Sequence, residues 1–286
     1  MNIKELINFG KTTLEKNEVE DAGIIARVLA QYILKIDRNK IVINENSNIE
    51  EIDKHRYYLA IIEIIQGIPL QYITNSQEFY GIQMYVNENV LIPQPDTEIL
   101  VQEVIKIIEQ KNKNKEQKDI EILDMCTGSG CIAVAIATNV QNVNAMLADI
   151  SREALEIAKV NAQYTNTTEK FKFIQTNMFE KVEKKFDIIV SNPPYIETDT
   201  IKSLNKQVQN EPLLALDGGE DGLKFYRILV NEGYKYLNKD GYLCMEIGYN
   251  QKQKVEELLK QNEKYTSIYT LKDFNGNDRV VIAKLK

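Results

Sequence analysis

Ile120-Glu121-Ile122-Leu123-Asp124-Met125-Cys126-Thr127-Gly128-Ser129-Gly130-Cys131-Ile132-Ala133-Val134-Ala135 holds a strand, a glycine loop and the start of a helix without interruption. The apolar run Ile120 to Met125 predicts a buried strand, and the small-residue run Ile132 to Ala137 predicts a helix. Glycines between a strand and a helix reach φ values closed to other residues and let backbone N–H groups approach a ligand. No Lys follows these glycines and the GxGxxG spacing is absent, so the loop is of the nucleotide-binding class but neither a Walker loop nor a dinucleotide fingerprint.

Outward from this stretch the alternation continues. Strands are expected at Ala145 to Asp149, Phe171 to Thr176, Phe186 to Val190 and Tyr242 to Ile247, with helices at Arg152 to Gln163, capped by Ser151, and at Leu223 to Leu237. Two further strands, Tyr265 to Thr270 and Arg279 to Leu285, close the chain and read as an antiparallel pair at the end of the sheet. Strands alternating with helices predict an α/β fold, a doubly wound, mostly parallel, seven-stranded sheet.

Ligands of such sheets bind at the carboxyl ends of the strands. Four predicted strand ends carry polar chemistry. The first is the glycine loop. The second is Asp149, 19 residues past Gly130, an acid placed to take both hydroxyls of a ribose. The third is Asn177-Met178, an amide able to read an adenine edge beside a polarizable side chain able to pack on the ring. The fourth is Asn192-Pro193-Pro194-Tyr195, a rigid turn whose prolines fix φ and donate nothing, leaving carbonyls free beside the Asn192 side-chain oxygen and the Tyr195 ring.

Before this domain, residues 3 to 66 show apolar residues at helical spacing, among them Leu6, Leu14, Ile25, Leu29, Tyr58 and Ile62, and predict a small helical bundle. The helical period stops at Gly67, and Gln77 to Tyr80 with Ile82 to Val86 read as a β-hairpin linking two domains. The expected division is 1–73 helical, 74–92 linker and 93–286 ligand-binding, the last opening with Leu91-Ile92-Pro93-Gln94-Pro95-Asp96-Thr97-Glu98 and a helix from Ile99 to Ile108. The run Lys111 to Asp119 is nearly all charged or Asn and reads as a solvated loop.

Composition narrows the chemistry. Formal net charge is -7, and residues 1–73 hold 9 Lys/Arg against 11 Asp/Glu, so no basic footprint for nucleic acid is expected. Three cysteines form no CxxC pair and only one histidine, His55, exists, which argues against a zinc site, a disulfide framework and Ser-His or Cys-His nucleophilic catalysis. His55 reads as a surface helix residue. No signal peptide and no apolar run near the roughly 18 residues of a membrane span is present, and a monomeric protein of the cytoplasm, without metal or membrane, is expected.

These motifs resemble the class I, Rossmann-like S-adenosylmethionine-dependent methyltransferases, and within them the release factor glutamine methyltransferases, the PrmC/HemK family. The resemblance runs through GIPLQYI, LIPQPDTE, DMCTGSGCIA, ADIS, SNPPYI, EPLLALDGGEDGL, EIG and the Gly276-to-Arg279 ending. It implies S-adenosylmethionine as cofactor, held by Cys126, Thr127, Gly128, Ser129, Gly130, Asp149, Asn177, Met178 and Asn192. It implies class I peptide chain release factors as partners, their Gly-Gly-Gln glutamine held by Asn192, Pro193, Pro194 and Tyr195, and a helical domain that docks them. Catalysis falls to Asn192, Pro193 and Tyr195, which position the amide for in-line methyl transfer with no strong base. The chain departs from the family pattern at Cys126 (usually Gly), Gln94 (usually Arg) and Asn177 (usually Asp). Gln94 removes a positive charge on the substrate side. Two alternatives stand beside this reading. One is an adenine-N6 DNA methyltransferase, which uses a similar turn on a flipped base; the other is a non-catalytic S-adenosylmethionine-binding partner subunit. A product assay separates all three.

Overall fold

The computed structural model describes residues 1–113 and 119–286; the middle of the expected charged loop, 114–118, lies outside the described residues. The chain forms two compact units, Met1–Asn75 with Asn205–Asn210, and Ser76–Leu204 with Glu211–Lys286.

The first unit is built on helices α1 (Ile3–Lys16), α2 (Ala22–Leu34), α3 (Arg38–Ile43), α4 (Glu51–Ile65) and α5 (Leu70–Thr74). Asn2 and Glu5 start α1 with a reciprocal capping box, Glu5 N donating to Asn2 Oδ1 (2.8 Å) and Asn2 N to Glu5 Oε2 (3.0 Å). The stripe Leu6, Gly10 and Leu14 of α1 packs with Ala26 and Leu29 of α2 and with Tyr57, Ile61 and Ile64 of α4. Tyr57 is fully buried, and its hydroxyl is satisfied by donating to Ala26 O (2.9 Å). Helix α5 was not expected; Pro69, with its fixed φ, sits at its N-cap and starts a new turn after Gly67. Asn210 Nδ2 donates to Gly67 O (3.0 Å), which ties the 205–210 segment into this unit. His55 is exposed.

The second unit begins with strands β1 (Gln77–Phe79) and β2 (Ile82–Met84), a two-stranded antiparallel sheet. Their turn residues Tyr80 and Gly81 both have positive φ (52° and 73°), the geometry that matches a hairpin's twist. A 3₁₀ turn at Pro95–Thr97 leads into α6 (Glu98–Lys113). This helix runs past the expected end at Ile108, because Glu, Gln and Lys are strong helix formers.

The main sheet follows: β3 (Ile120–Met125), α7 (Cys131–Asn139), β4 (Val143–Asp149), α8 (Arg152–Tyr164), β5 (Phe171–Gln175) and β6 (Phe186–Ser191). Short helices α9 (Thr198–Ile201), α10 (Lys206–Gln209) and α11 (Leu213–Leu216) follow β6. The order ends with α12 (Lys224–Gly233), β7 (Leu237–Glu246), α13 (Lys252–Gln261), β8 (Tyr265–Lys272) and β9 (Asp278–Leu285). Strand order is β5-β4-β3-β6-β7-β9-β8, with β5 through β7 parallel and β9 antiparallel to both neighbours.

The sheet has seven strands and both faces covered, as the alternation predicts. Successive residues feed opposite cores: Ile122, Ile188, Val190, Cys244 and Ile282 lie with α6 and α7 on one face, whereas Leu123, Ile189, Leu243, Met245 and Val281 lie with α12 and α13 on the other. The last two strands form the expected antiparallel pair at the end of the sheet, with β9 inserted between β7 and β8. Its Val280-Val281-Ile282-Ala283 run is completely buried, while β8 is largely accessible, so the more apolar strand takes the inner place. Helix α13 also escaped the sequence reading, because Val255 and Leu259 are its only buried residues amid charge.

A Cβ at Gly10 would lie 2.1 Å from the Tyr57 hydroxyl oxygen. Gly10→Ala is expected to destabilise the helical unit by about 1–3 kcal/mol, the usual range for overpacking. Thermal unfolding followed by circular dichroism checks this; an unchanged midpoint would contradict the packing described.

Candidate active site

Parallel pairing places the carboxyl ends of β4, β3 and β6 side by side, with Met125 opposite Ala148 on one side and Ser191 on the other. The order reverses there, since β4 and β5 lie to one side of β3 and β6 and β7 to the other. This is the switch point at which doubly wound sheets bind ligands. A cavity of about 370 Å³ opens at that point.

The glycine loop forms its floor. Asp124 is buried, and its Oδ2 accepts from Thr127 Oγ1 (2.7 Å) and Ala133 N (3.3 Å), tying β3 to α7. Gly128 N donates to Asp149 Oδ2 (2.9 Å) and Ser151 N to Asp149 Oδ1 (2.9 Å), so loop and acid are held as one piece. A Cβ at Gly128 (φ +54°) would meet nothing within 4 Å, which leaves the backbone open to a ligand. Gly130 does not line the cavity; a Cβ there would lie 3.0 Å from Ala158 Cβ, so its smallness serves the packing of α8. Cys126 stands at φ +62°, with its Sγ 3.9 Å from Met178 Sδ, and the two sulfurs share one wall. Asn177 lines the same end, its Nδ2 donating to Glu180 Oε1 (2.7 Å).

On the other side, Ser191 Oγ donates to Met125 O (2.7 Å) and joins the Asn192 turn to the glycine loop. Asn192 and Pro194 line the cavity, whereas Pro193 and Tyr195 do not. The Asn192 Nδ2 donates to Thr97 Oγ1 (3.3 Å). Tyr195 points its hydroxyl at Glu246 Oε1 (3.4 Å), and Gln251 Nε2 donates to Tyr195 O (2.9 Å). Gly218 and Gly222 clasp the same turn from behind: a Cβ on either would lie 2.7 Å from Tyr195 Cα or 2.4 Å from Tyr195 O. Gln94 also lines the cavity, its Nε2 donating to Ile92 O (3.0 Å) and presenting no charge.

Sequence reasoning quoted Thr97, Glu246 and Arg279 within motifs but gave them no role. The structure gathers them. Glu246 is 2 % exposed at the end of β7, and burial pushes its carboxyl up to about 7 despite the Thr97 hydroxyl and the Arg279 charge, which lower it. Arg279 bridges Asp96 (3.1 Å) and Asp273 (3.0 Å). A lone acid inside the apolar run Cys244-Met245-Glu246-Ile247 was the available signal. Burial likewise pushes the Asp124 carboxyl up to about 7 and raises Asp149, with the N–H groups of Ser151 and Gly128 opposing the latter. Among the described residues no group of three or more His, Cys, Asp or Glu could hold a metal ion, and no helix is long and apolar enough to cross a membrane.

A doubly wound sheet with a glycine loop, a second-strand acid and an Asn-Pro-Pro-Tyr turn around one cavity defines the class of Rossmann-like methyltransferases. Sequence profiles agree: residues 97–211 match the methyltransferase small domain and residues 5–74 the PrmC N-terminal domain. The release factor glutamine methyltransferase of Clostridium acetobutylicum is 39% identical over 99% of this chain and 98% of its own length. The enzyme of the same name from Bacillus cereus is 34% identical over 100% of both chains. A solved methyltransferase from Pyrococcus furiosus shares the fold, with a TM-score of 0.52 over 83% of this chain and 99% of its own, at 17% identity. The chain belongs to the release factor glutamine methyltransferase family.

An acid whose pKa is raised by folding is protonated more readily in the native than in the unfolded state, so its contribution is favourable at low pH and is lost as pH rises through the folded value. Glu246 and Asp124 both fall in this class. Thermal stability is therefore expected to decline between pH 5 and about 8, and Glu246→Gln, neutral throughout, should flatten that decline. A melting series across this range checks both; an equally steep decline in the variant would exclude Glu246 as a source.

Proposed function

We propose that this protein transfers a methyl group from S-adenosylmethionine to the side-chain amide nitrogen of the glutamine in the Gly-Gly-Gln motif of class I peptide chain release factors. The observation that carries the reading is one cavity lined both by the Cys126 to Ser129 loop with Asp149 and by Asn192 with Pro194.

The residues fit the cofactor. Gly128 offers an open backbone cradle, and a cavity of about 370 Å³ is of the size that small-molecule sites use. Each Asp149 oxygen accepts one backbone N–H and keeps a lone pair for a ribose hydroxyl. Cys126 and Met178 supply a polarizable wall for the adenine ring, and Asn177, whose nitrogen is engaged by Glu180, keeps its oxygen for the adenine amino group. Bound there, S-adenosylmethionine supplies a methyl group on a positively charged sulfur that becomes a neutral thioether when the methyl is taken.

The turn handles the acceptor. An amide nitrogen is a poor nucleophile because its lone pair is delocalised into the carbonyl. Asn192 Oδ1, on the cavity wall, accepts one N–H and holds the nitrogen with its lone pair facing the methyl group. Pro194 backs the amide plane, while Pro193 and Tyr195, which do not line the cavity, hold the turn from behind, Tyr195 through Glu246 and Gln251. The fixed Asn192 oxygen dipole also stabilises the nitrogen as it becomes positive, and the proton it then sheds passes to solvent. The helical unit, with Val42 67% and Ile43 79% exposed, docks the body of the release factor.

Incubating a purified class I release factor with this protein and S-adenosylmethionine, followed by peptide mass spectrometry, should place one methyl group on the Gly-Gly-Gln glutamine. Asn192→Ala should lower the rate by about 10²-fold or more, the scale of a lost positioning group. A methylated adenine in a DNA duplex, or cofactor binding without any transfer, would overturn the reading. Placing Glu at both Val42 and Ile43 should raise KM for the intact factor and leave a short Gly-Gly-Gln peptide unaffected; an unchanged KM would exclude docking at that face.

A further inference from the structure

We propose that Asn161, which does not itself line the cavity, is a positioning residue for S-adenosylmethionine: its side-chain amide holds two walls of the cavity at a fixed spacing. The inference rests on the reading of the cavity as the site of that cofactor.

Asn161 lies on α8 and is 1 % exposed. A buried carboxamide is unfavourable unless its donors and its acceptor are used. All are used here, and by main-chain groups alone. Nδ2 donates to Tyr85 O (3.0 Å) and to Ser129 O (2.9 Å), and Oδ1 accepts from Tyr85 N (2.7 Å). The two bonds to Tyr85 copy the exchange of N–H and C=O between facing residues of antiparallel strands, and the second Nδ2 hydrogen is spent on Ser129. Turning the amide over would set Oδ1 against two carbonyl oxygens and Nδ2 against an N–H, so one orientation alone satisfies the three partners.

The partners belong to different walls. Tyr85 follows β2 and stands three residues before Glu88, where a stretch that lines the cavity as far as Leu91 begins. Ser129 belongs to the glycine loop and lines the cavity as well. The loop's other side-chain ties, Thr127 Oγ1 to Asp124 and Gly128 N to Asp149, run to the ends of β3 and β4 and leave the 85–91 stretch untouched. The peptide that joins Ser129 to Gly130 is held at both ends, its C=O by Asn161 and its N–H by Thr127 O (2.8 Å). Gly130 makes this possible. Its lack of a Cβ admits Ala158 of α8, and Asn161, one turn further along the same helix face, is thereby brought within reach of Ser129 O. A ligand that fills the cavity touches both walls, and walls already fixed in relation spare it the cost of ordering them.

Asn161→Leu keeps about the same volume and removes all three bonds, whereas Asn161→Asp keeps the acceptor for Tyr85 N–H and removes both donors. Leu259→Ala, a core truncation on α13 at a residue that does not line the cavity, is the control for lost stability alone. By calorimetric titration well below every unfolding midpoint, the Kd for S-adenosylmethionine should rise about tenfold in Asn161→Asp, the scale of one lost hydrogen bond, and further in Asn161→Leu. It should stay within about twofold of the parent in Leu259→Ala. On a Gly-Gly-Gln peptide the Asn161 variants should raise KM for the cofactor and leave kcat at saturation within about twofold. Hydrogen exchange followed by mass spectrometry on the free protein should quicken in both segments 85–91 and 126–131 of Asn161→Leu. Parental affinity in both Asn161 variants, or an equal loss in Leu259→Ala, would overturn the proposal and leave the methyl-transfer reading intact. Quickened exchange in one segment alone would overturn it too, since the amide would not then couple the walls. A parent that binds no S-adenosylmethionine would instead remove the cofactor reading on which the proposal rests.

Discussion

The parallel pairing of β3 with β6 is the constraint on which the remaining structure depends. It sets Met125 beside Ser191, and the Ser191 hydroxyl closes the junction by donating to Met125 O at 2.7 Å. Because β4 pairs on the opposite edge of β3, the loops leaving β3 and β6 part in different directions and leave a crevice between them. The glycine loop forms one lip and the Asn192 turn the other. A slip of one residue in that register would exchange the two faces of a strand buried on both sides, so the strong apolar alternation of Ile188, Ile189 and Val190 holds the crevice in place.

Conformational and electrostatic costs are met on the wall of this crevice and behind it. Cys126 and Met178 adopt left-handed φ values of 62° and 48°, which cost a non-glycine residue about 1–2 kcal/mol, and both line the cavity. Asp124 and Glu246 are buried, each with one oxygen lacking a hydrogen-bond partner. Buried charge of this kind is unfavourable unless paired, and here the compensation is supplied by Thr127, Ala133 N, Tyr195 and the Arg279 bridge between Asp96 and Asp273.

The elements that face two apolar cores were legible, because a strand or helix buried by its neighbours writes its period into the sequence. The seven strands, the Ser151 cap and the helices α1, α2 and α8 belong to this group; α4 was legible as a helix, but it buries Tyr57, Ala60, Ile61 and Ile64 rather than the Tyr58 and Ile62 stripe read in the sequence. Elements with little apolar surface were not legible: α13 buries only Val255 and Leu259, and the end of α6, Glu109 to Lys113, has no apolar residue to set a pattern. Short helices α9, α10 and α11 fail for a different reason, since four residues are barely one turn and the period never repeats.

At the site, the sequence by itself determined the chemical inventory: the glycine loop, Asp149, Asn177-Met178 and the Asn-Pro-Pro-Tyr turn, each at the end of a recognisable strand. Local chemistry is carried by short motifs, and short motifs survive in one dimension. Only the tertiary structure decided that Gly130 packs against Ala158 while Gly128 stays open, that Tyr195 stands behind the cavity, and that β9 inserts between β7 and β8. It alone brought Thr97 to Asn192 and Glu246 to Tyr195, pairs 95 and 51 residues apart in the chain. Such contacts follow from the order in which strands pair, and pairing is settled by the burial of whole faces rather than by any residue's near neighbours.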